Sequence, residues 1–509
     1  MSLTRVGASR QSLTKTLAVT GADVHHVLGS VALPAPPPHL PAARIAADDR
    51  TPGLLGVSVD AAWLGTPAAR DDLFPYLGAV FAALAHGAHA LGGVLHPPGT
   101  RLAPGQQPPL GGDTHELLTL DTVEQEVLAN LLRRHSPVLI ALGGHGLVGG
   151  GPDRVGSRRL ADSREHLAAR HLASADPRHL HRVRAEIRRR DGIADLTRMD
   201  IAPVGDTDGT TPRVLVRCLD SQPSLADLRA HALLLAALAL HARRMVRNGS
   251  REGGTPQRLV EENRARAVIH GLRARFVPSG GTRGRTGEPV PAREAARRLL
   301  DDLLPELSLL DATAEELFPL LAPLELPGLG LPPQRSQDLL VRAARDGRAA
   351  LVDVIGRHLT DTRPGGLLLR SVREESPGRV DLLLDTWQAA LTEGVSPRAA
   401  GTAAGPQATR PHDGRPGDDK ARDDRARGRR PRDGGQGGGG RTGTGSRSGG
   451  QGGSGQGGSG GQRADGQERP GQERPGQQGG GRPRGERRPG GGPRQGDRRS
   501  GRPPREGDT

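Results

Sequence analysis

The residues that could carry chemistry lie mainly between positions 113 and 275 of the 509-residue chain. The glycine-rich segment Gly143–Asp153 offers backbone amides that could approach a ligand. It lacks the Gly-Lys-Ser/Thr ending of a phosphate-binding loop and the glycine spacing of a dinucleotide-binding loop. Two interpretations therefore stay open for this segment, a ligand contact and a mobile surface loop.

The common metal and nucleophile patterns are incomplete. His115 is followed by a glutamate, as in a zinc-protease helix, but Thr119 stands where the second histidine would be. His86 and His89 are three residues apart without a third ligand, which is typical of an exposed helix face. Cys218 is the single cysteine, which excludes an internal disulfide and a cysteine-built metal site, and indicates a small buried thiol.

Two motifs in this region are more specific. The first is Arg217-Cys-Leu-Asp-Ser-Gln-Pro-Ser-Leu225, at the end of a predicted strand. The second is Glu262-Asn-Arg-Ala-Arg-Ala-Val-Ile-His-Gly-Leu272, in a predicted helix. In this order and spacing they resemble the glutamate–cysteine ligase family, of the bacterial and plant carboxylate–amine ligase type. The resemblance is good over residues 110–320 and loose over residues 1–110.

The resemblance implies a glutamine-synthetase-like α+β fold in which an antiparallel sheet forms the floor of the site. It also implies that ATP phosphorylates a substrate carboxylate and that an amine attacks the acyl phosphate to form an amide. Such chemistry requires Mg²⁺ held by carboxylates, and cationic side chains that neutralise developing charge. ATP, Mg²⁺ and an amino-acid-like substrate are therefore the ligands expected of an active enzyme.

The family's site residues are carried over by matching positions in the motifs. They are the catalytic residues Arg217 and Asp220, the cofactor-binding residues Asn263, Arg266 and Asp153, and the metal ligand His115. A second interpretation stays open for the retained residues, namely that they brace the sheet against the helices.

The chain departs from the family where metal ligands are expected. The segment Val6–Ser12 matches the first strand but has no carboxylate, and Leu117 replaces the second histidine. Ala202 stands in place of an arginine, and Leu215 in place of a glutamate. Two hypotheses follow: an active ligase, or a non-catalytic relative that binds or assembles. The active ligase would need replacement carboxylates, for which the candidates are Asp60, Asp113 and Glu116.

The elements that would position these residues are strands early in the chain and helices late, which indicates an α+β fold. Strands are predicted at Leu54–Val59, Thr114–Leu120 and Val214–Asp220, and Val138–Leu142 forms a separate short apolar run. Asp121 and Ser224 are predicted to cap helices. The helical subregion spans about 224–395, with further helices predicted at 257–275, 291–304, 312–322, 335–359 and 379–393.

Composition divides the chain into a folded domain, 1–395, and a disordered tail, 396–509. The segment after Gly401 has no aromatic residue and is rich in Arg, Gly, Pro and Gln, so it cannot bury enough apolar surface to fold. It holds 23 of the 71 basic residues and 13 of the 57 acidic residues, which accounts for +10 of the net charge of +14. The basic character is therefore assigned to the tail.

The partners expected from composition are limited. The tail is interpreted as solubilising, or as making weak contacts with nucleic acid or acidic proteins, because it lacks the aromatic side chains on which bases stack. No signal peptide is expected at the N-terminus, and the apolar run Ala232–Leu240 is short for a membrane span. A cytoplasmic location without membrane contact is therefore the expectation.

Overall fold

The structure is a computed structural model that describes residues 10–103, 105–148, 156–162, 167–174, 176–191, 199–205, 211–278, 288–326 and 333–394. Asp153, the boundary near residue 395 and the tail 396–509 lie outside these residues, so the statements made about them stay predictions.

In the described part of the chain, seven strands form one sheet in the order β2-β3-β1-β5-β7-β6, with β4 also paired to β1. Every pairing in this sheet is antiparallel. A second, two-stranded sheet is formed by β8 and β9. The strand bounds are β1 Arg10–Thr20, β2 Arg44–Ala47, β3 Leu54–Trp63, β4 Val94–His96, β5 Thr114–Leu118, β6 Ile201–Val204, β7 Arg213–Val216, β8 Arg275–Phe276 and β9 Val290–Pro291.

The two faces of the sheet differ in composition because alternate residues of a strand point to opposite faces. One face, called the covered face, carries buried side chains that pack beneath the helices; it includes Leu13, Lys15, Leu17, His115, Leu117 and Val216. The other face, called the open face, carries partly exposed polar residues on the central strands: Ser12, Thr14, Thr16, Ser58, Thr114 and Glu116.

Helices supply most of the remaining described structure. Their bounds are α1 Val24–Ser30, α2 Pro67–Ala90, α3 Thr122–Gly143, α4 Arg158–Asp162, α5 Pro177–Asp191, α6 Leu225–Arg247, α7 Gln257–His270, α8 Ala292–Asp302, α9 Leu304–Leu309, α10 Ala314–Glu325, α11 Ser336–Asp346, α12 Arg348–Thr360, α13 Gly366–Glu375 and α14 Pro377–Glu393. A short 3₁₀ helix, Gly271–Arg273, follows α7.

Helix α6 is the central helix of the core. It is buried on all sides from Leu225 to Leu240, as expected of a helix that other elements enclose, and this buried part includes Asp227, Arg229 and His231. Ser224 caps it by accepting a hydrogen bond from the backbone N–H of Asp227, and Asp121 caps α3 in the same way through Glu124. Both predicted caps are confirmed, and the mixed α+β class with an antiparallel sheet is confirmed as well.

Several predicted bounds are corrected. Val138–Leu142 is the last part of α3, which continues through Pro137 because its side chains are buried on nearly all sides. The single helix expected over 335–359 is two helices, because Gly347 has φ of 114° and ends α11. The strand expected over Val214–Asp220 ends at Val216, where the chain turns.

Two helices, α2 and α6, are long and apolar enough to cross a membrane by length and composition alone. In α6, 94% of the apolar window is buried inside the fold, and in α2 the share is 56%. Core helices of soluble proteins have the same length and composition, so these two helices are weak evidence for a membrane span.

Candidate functional site

The open face forms the floor of a cleft of about 540 Å³, called here the sheet cleft. This volume is in the range of sites that bind small molecules. Its polar and charged lining residues are Thr14, Thr16, Asp48, Ser58, Asp113, Thr114, Arg159, Asp162 and Arg217, and glycines 56, 111 and 112 complete its surface.

Hydroxyl groups dominate the floor of the sheet cleft. Thr14 Oγ1 and Ser58 Oγ are 2.9 Å apart on paired strands, and Thr16 Oγ1 donates to the Gly112 carbonyl at 2.7 Å. Thr114 lies opposite Thr14 on β5. Hydroxyl groups can donate to the oxygens of a carboxylate or phosphate, so this floor suits a polar or anionic ligand.

Asp113 lies at the edge of the cleft, but its carboxylate is bound by Lys15 from the covered face. Lys15 Nζ is 3.2 Å from both Asp113 oxygens, and it donates to Ser221 Oγ at 2.5 Å and to the Gln222 carbonyl at 2.6 Å. The backbone N–H groups of Thr16 and Gln222 also donate to this carboxylate. Burial lowers the pKa of Lys15, and the charge of Asp113 opposes that shift.

Asp220, predicted to be catalytic, is buried and binds three donors. It accepts hydrogen bonds from the His145 backbone N–H at 2.8 Å, Ser157 Oγ at 2.8 Å and Arg159 Nε at 3.1 Å. Burial raises the pKa of its carboxyl group, while Arg159 and these hydrogen bonds act in the opposite direction. In this arrangement Asp220 joins the turn after β7 to the segment at His145 and to the start of α4.

The rest of the Asp-Ser-Gln turn is bound into the fold in the same way. Ser221 Oγ donates to the Thr16 carbonyl at 2.6 Å, and Gln222 Nε2 donates to the carbonyl of Gly143 at 3.2 Å. Gln222 Oε1 is 3.1 Å from His145 Nε2. These contacts favour the interpretation that the retained motif braces the sheet against the helices.

Arg217, the second residue predicted to be catalytic, lines the sheet cleft. Its backbone is fixed on both sides, because its N–H donates to the Asp200 carbonyl and its own carbonyl accepts from Arg159. Arg159 also donates to the Leu219 carbonyl at 3.0 Å and to Asp220, so its guanidinium links β7, the turn and the cleft. The structure thus brings Arg217 and Asp220 together around Arg159.

His115, the predicted metal ligand, lies on the covered face and is fully buried. Its Nδ1 is 3.0 Å from Gln11 Oε1, and its Nε2 has no hydrogen-bond partner among the described residues. Burial lowers the pKa of His115 to about 3. Leu117 lies on the same covered face, because residues two apart along a strand point to the same side. A leucine at the position where the ligase family has a histidine therefore does not change the lining of the sheet cleft.

Asn263 and Arg266, the predicted cofactor-binding residues on α7, do not line the sheet cleft. Asn263 binds the backbone of Val277 through both its amide oxygen and its amide nitrogen. Arg266 pairs with Glu262 at 2.7 Å and donates to the Arg275 carbonyl at 3.0 Å. The two side chains hold β8 and the residue that follows it against α7. Their role in cofactor binding stays a prediction.

One row of paired residues crosses the open face and contains three of the positions at which the chain departs from the family. Ser12 lies opposite Glu116, Glu116 opposite Leu215, and Leu215 opposite Ala202, on β1, β5, β7 and β6 in turn. Glu116 is the single carboxylate of this row, and it pairs with Arg213 at 2.8 Å.

In nucleotide sites Mg²⁺ is usually held by one or two carboxylates together with phosphate oxygens, and the carboxylates proposed for it here are already paired with cations. Asp60 pairs with Arg44, Asp113 with Lys15, and Glu116 with Arg213, so each proposed replacement ligand is bound by a cation. Among the described residues, no group of three His, Cys, Asp or Glu side chains could hold a metal ion.

Sequence reasoning missed the floor of the cleft. Ser12, Thr14 and Thr16 alternate with buried residues in β1, which is the pattern of a strand with one open face. This alternation could have indicated the strand from the sequence, but it is weak because the segment contains few apolar residues. Lys15 had a different signal, because it is the one lysine before the tail in an arginine-rich chain. No sequence pattern around Arg159 indicates that its side chain would line the cleft.

No family model matches the chain, and no curated protein matches it. The solved structures that are similar to it include the following three. One is a glutamate–cysteine ligase from Francisella tularensis in complex with AMP, with a TM-score of 0.41, 11% identity, and coverage of 77% of this chain and 98% of the other. Another is a bifunctional glutathione synthetase from Pasteurella multocida, with a TM-score of 0.37, 12% identity, and coverage of 77% and 53%.

The third is the complex between the prokaryotic ubiquitin-like protein Pup and its ligase PafA. Its TM-score is 0.39, with 12% identity and coverage of 76% of this chain and 81% of the other. The chain thus spans about half the length of the glutathione synthetase and most of the other two. Values this low assign no activity and no residue role to this chain.

Proposed function

We propose that the chain is a carboxylate–amine-ligase-like protein whose sheet cleft binds a small anionic ligand without metal-dependent amide formation. The observation that carries the proposal is the composition of the open face. Hydroxyl groups, Arg159 and Arg217 line the cleft, and two of its three carboxylates, Asp113 and Asp162, are paired with Lys15 and Arg158. The neighbouring row Ser12–Glu116–Leu215–Ala202 offers one carboxylate, which Arg213 neutralises.

The ligand class follows from the donors at the cleft. Thr14, Ser58 and Thr114 present hydroxyl groups from three adjacent strands, and Arg159 and Arg217 line the same cleft. Guanidinium groups bind carboxylate and phosphate oxygens through charge-assisted hydrogen bonds. An amino-acid-like carboxylate or a phosphate-bearing molecule would therefore be held by these side chains directly.

The alternative function is an active ligase in which ATP phosphorylates a carboxylate before an amine attacks. It is supported by the motif resemblance over residues 217–272 and would require Asp48, the cleft carboxylate without a cation partner among the described residues, or carboxylates outside those residues. Its requirement for Mg²⁺ separates it from the proposed function, because the residues of the sheet cleft bind an anion without one.

The test is calorimetric titration of the full chain with L-glutamate, inorganic phosphate and ATP as separate probes. At least one probe is expected to bind, and Arg217→Gln is expected to weaken that binding about tenfold, since a hydrogen bond to a charged group contributes about 1.5–3 kcal/mol. Arg345→Gln, at an exposed site on α11, which contributes no residue to the cleft, is the matched control and should leave binding unchanged.

Two results would overturn the proposal. One is the absence of binding by all three probes at millimolar concentration. The other is release of ADP from ATP when glutamate, an amine and Mg²⁺ are supplied together, which would show the alternative function. Thr114→Val removes one hydroxyl group from the floor of the cleft with little change in volume. It should also weaken binding, which would place the affinity lost in Arg217→Gln at the cleft.

A further inference from the structure

Helix α5 places a row of positive charge on the surface of the folded domain, apart from the sheet cleft. Its sequence is Pro177-Arg-His-Leu-His-Arg-Val-Arg-Ala-Glu-Ile-Arg-Arg-Arg-Asp191. Four of its arginines are exposed and form no ion pair with any residue that the structure describes. These residues, called here the arginine face, are Arg178, Arg182, Arg188 and Arg189.

The helical period brings three of these charges to one side, and Arg188 flanks them. Arg178, Arg182 and Arg189 are at i, i+4 and i+11, which lie within a narrow stripe of an α-helix. Ala185, at i+7, is exposed in the same stripe and leaves room around its neighbours. The stripe from Arg178 to Arg189 is about 16 Å long at 1.5 Å per residue.

The opposite side of α5 is used by the fold. Val183 packs against the main hydrophobic core, so the helix is attached through this side and presents the arginine face outward. A helix that inserts into a membrane surface needs its apolar side free, in addition to a basic side. The attachment of Val183 therefore argues against a lipid surface as the partner of α5.

The composition of the arginine face favours a polyanion over a folded protein. Stable protein interfaces have an apolar or aromatic centre from which charged residues are depleted. The exposed positions of the described α5 side chains are arginine, histidine, alanine and one glutamate, without an aromatic or large aliphatic residue. Nucleic-acid backbones, in contrast, are bound without sequence preference largely through lysine and arginine charge.

We propose that the arginine face binds the phosphate backbone of a nucleic-acid duplex. A duplex carries about one charge per 1.7 Å of its axis, so roughly ten phosphates lie along the 16 Å of the stripe. The absence of aromatic residues from this face favours a stacked duplex over single strands, whose bases need aromatic partners. This inference concerns the folded domain and does not depend on the sheet cleft or on the tail.

The test is fluorescence anisotropy of a labelled duplex of arbitrary sequence, titrated with the full chain at several salt concentrations. Parallel titrations use duplex DNA and duplex RNA. The variant replaces all four residues of the arginine face with glutamine. Its matched control replaces four exposed arginines on other helices that also lack ion pairs among the described residues: Arg258, Arg345, Arg348 and Arg379.

The variant of the arginine face is expected to bind at least tenfold more weakly, and the slope of log affinity against log salt should decrease by up to about 3.6, since each of four phosphate contacts contributes roughly 0.9. The control, which has lost the same charge, should change affinity less than threefold. A preference for DNA or RNA in the parallel titrations identifies which duplex is the natural target.

Three outcomes would overturn the inference. The chain could fail to bind either duplex in low salt, the control could lose as much affinity as the variant, or polyglutamate could compete as well as an equal charge of duplex, which would indicate an acidic protein. Ala185→Glu, a single exposed substitution within the stripe, provides a second variant that should weaken binding if the quadruple variant folds poorly.

Discussion

At the scale of single residues, Lys15 combines charge with complete burial. Its ammonium group binds both oxygens of Asp113, the Ser221 hydroxyl and the Gln222 carbonyl, so four contacts replace the water it has lost. An arginine would need a larger planar space, whereas the ammonium is compact, which explains a lysine in a chain that otherwise uses arginine. Lys15 neutralises Asp113 from beneath the cleft and so removes one of the negative charges that line it.

The first prediction concerns this pair. Lys15→Met should reduce the free energy of unfolding by about 3–5 kcal/mol, because it leaves the Asp113 carboxylate buried without its counter-ion. Urea denaturation of the full chain measures the change. The double variant Lys15→Met, Asp113→Leu removes both charges and should recover part of the loss. A cost below 1 kcal/mol for Lys15→Met would contradict the assigned role.

The second prediction concerns four fully buried histidines whose pKa burial lowers. The pKa falls to about 3 for His115 and to about 4 for His96, His231 and His358. Because these groups bind protons in the unfolded chain near pH 6.5 but stay neutral in the fold, stability is full above pH 6.5 and is lost as pH falls toward 4.

Thermal melting between pH 8 and pH 4 measures this dependence. The melting temperature is expected to be nearly constant above pH 7 and to fall steeply below pH 6. His358→Leu should make the fall shallower, whereas the exposed His26→Leu should leave it unchanged. A melting temperature independent of pH over this range would show that the histidines are not buried as described.

The residues of the site could be predicted from the sequence in part. Arg217 and Asp220 were identified through the motif that contains them, and the structure brings both to Arg159. Ser58 and Thr114 were not, because a hydroxyl residue on a strand carries no signal until the neighbouring strands are known. The pairing of Lys15 with Asp113 joins residues 98 positions apart, which no local pattern reveals.

At the scale of elements, the sheet and α6 position the cleft, and short turns connect the outer helices. Gly347 is the sharpest of these turns, because its φ of 114° lies where residues with a Cβ are strained. The sequence period continues through this position, which explains why one helix was expected over 335–359. The break became apparent only from the backbone conformation.

The third prediction compares two glycines that both have open space around an added Cβ. Gly347→Ala should destabilise the fold by more than about 1 kcal/mol, because alanine cannot adopt the positive φ without strain. Gly356→Ala, inside α12, should instead stabilise it by about 0.5–1 kcal/mol. Urea denaturation of both variants gives the comparison, and equal effects would contradict a turn at Gly347.

Elements with strong caps or long apolar periods were predictable from the sequence, such as α3 after Asp121 and α6 after Ser224. Strand β1 was largely missed, because its covered face includes Gln11 and Lys15 where apolar residues were expected. Its central place in the sheet comes from pairing with β3, β4 and β5, which is a tertiary property.

At the scale of the whole molecule, positive charge has two locations. Composition assigned the net charge of +14 mostly to the segment after Gly401, and that count stands. The arginine face of α5 shows that a folded domain with little net charge can still concentrate positive charge locally. The net charge of the folded domain therefore did not predict this basic surface, because carboxylates elsewhere in the domain offset the charge of these arginines.

The central claim is that the sheet cleft holds an anion through protein groups, without a divalent metal and without ligase chemistry. It rests on the row of residues from Ser12 to Ala202 and on the cations that occupy Asp60, Asp113 and Glu116. In an active ligase, binding of the ligand would depend on Mg²⁺. In the proposed function, the ligand binds without it.

The most direct measurement is calorimetric titration of the full chain with whichever of ATP, L-glutamate or phosphate binds, once in excess EDTA and once in excess Mg²⁺. The affinities in the two conditions are expected to agree within threefold, and Arg217→Gln should weaken both about tenfold. Binding that appears only in Mg²⁺ would contradict it.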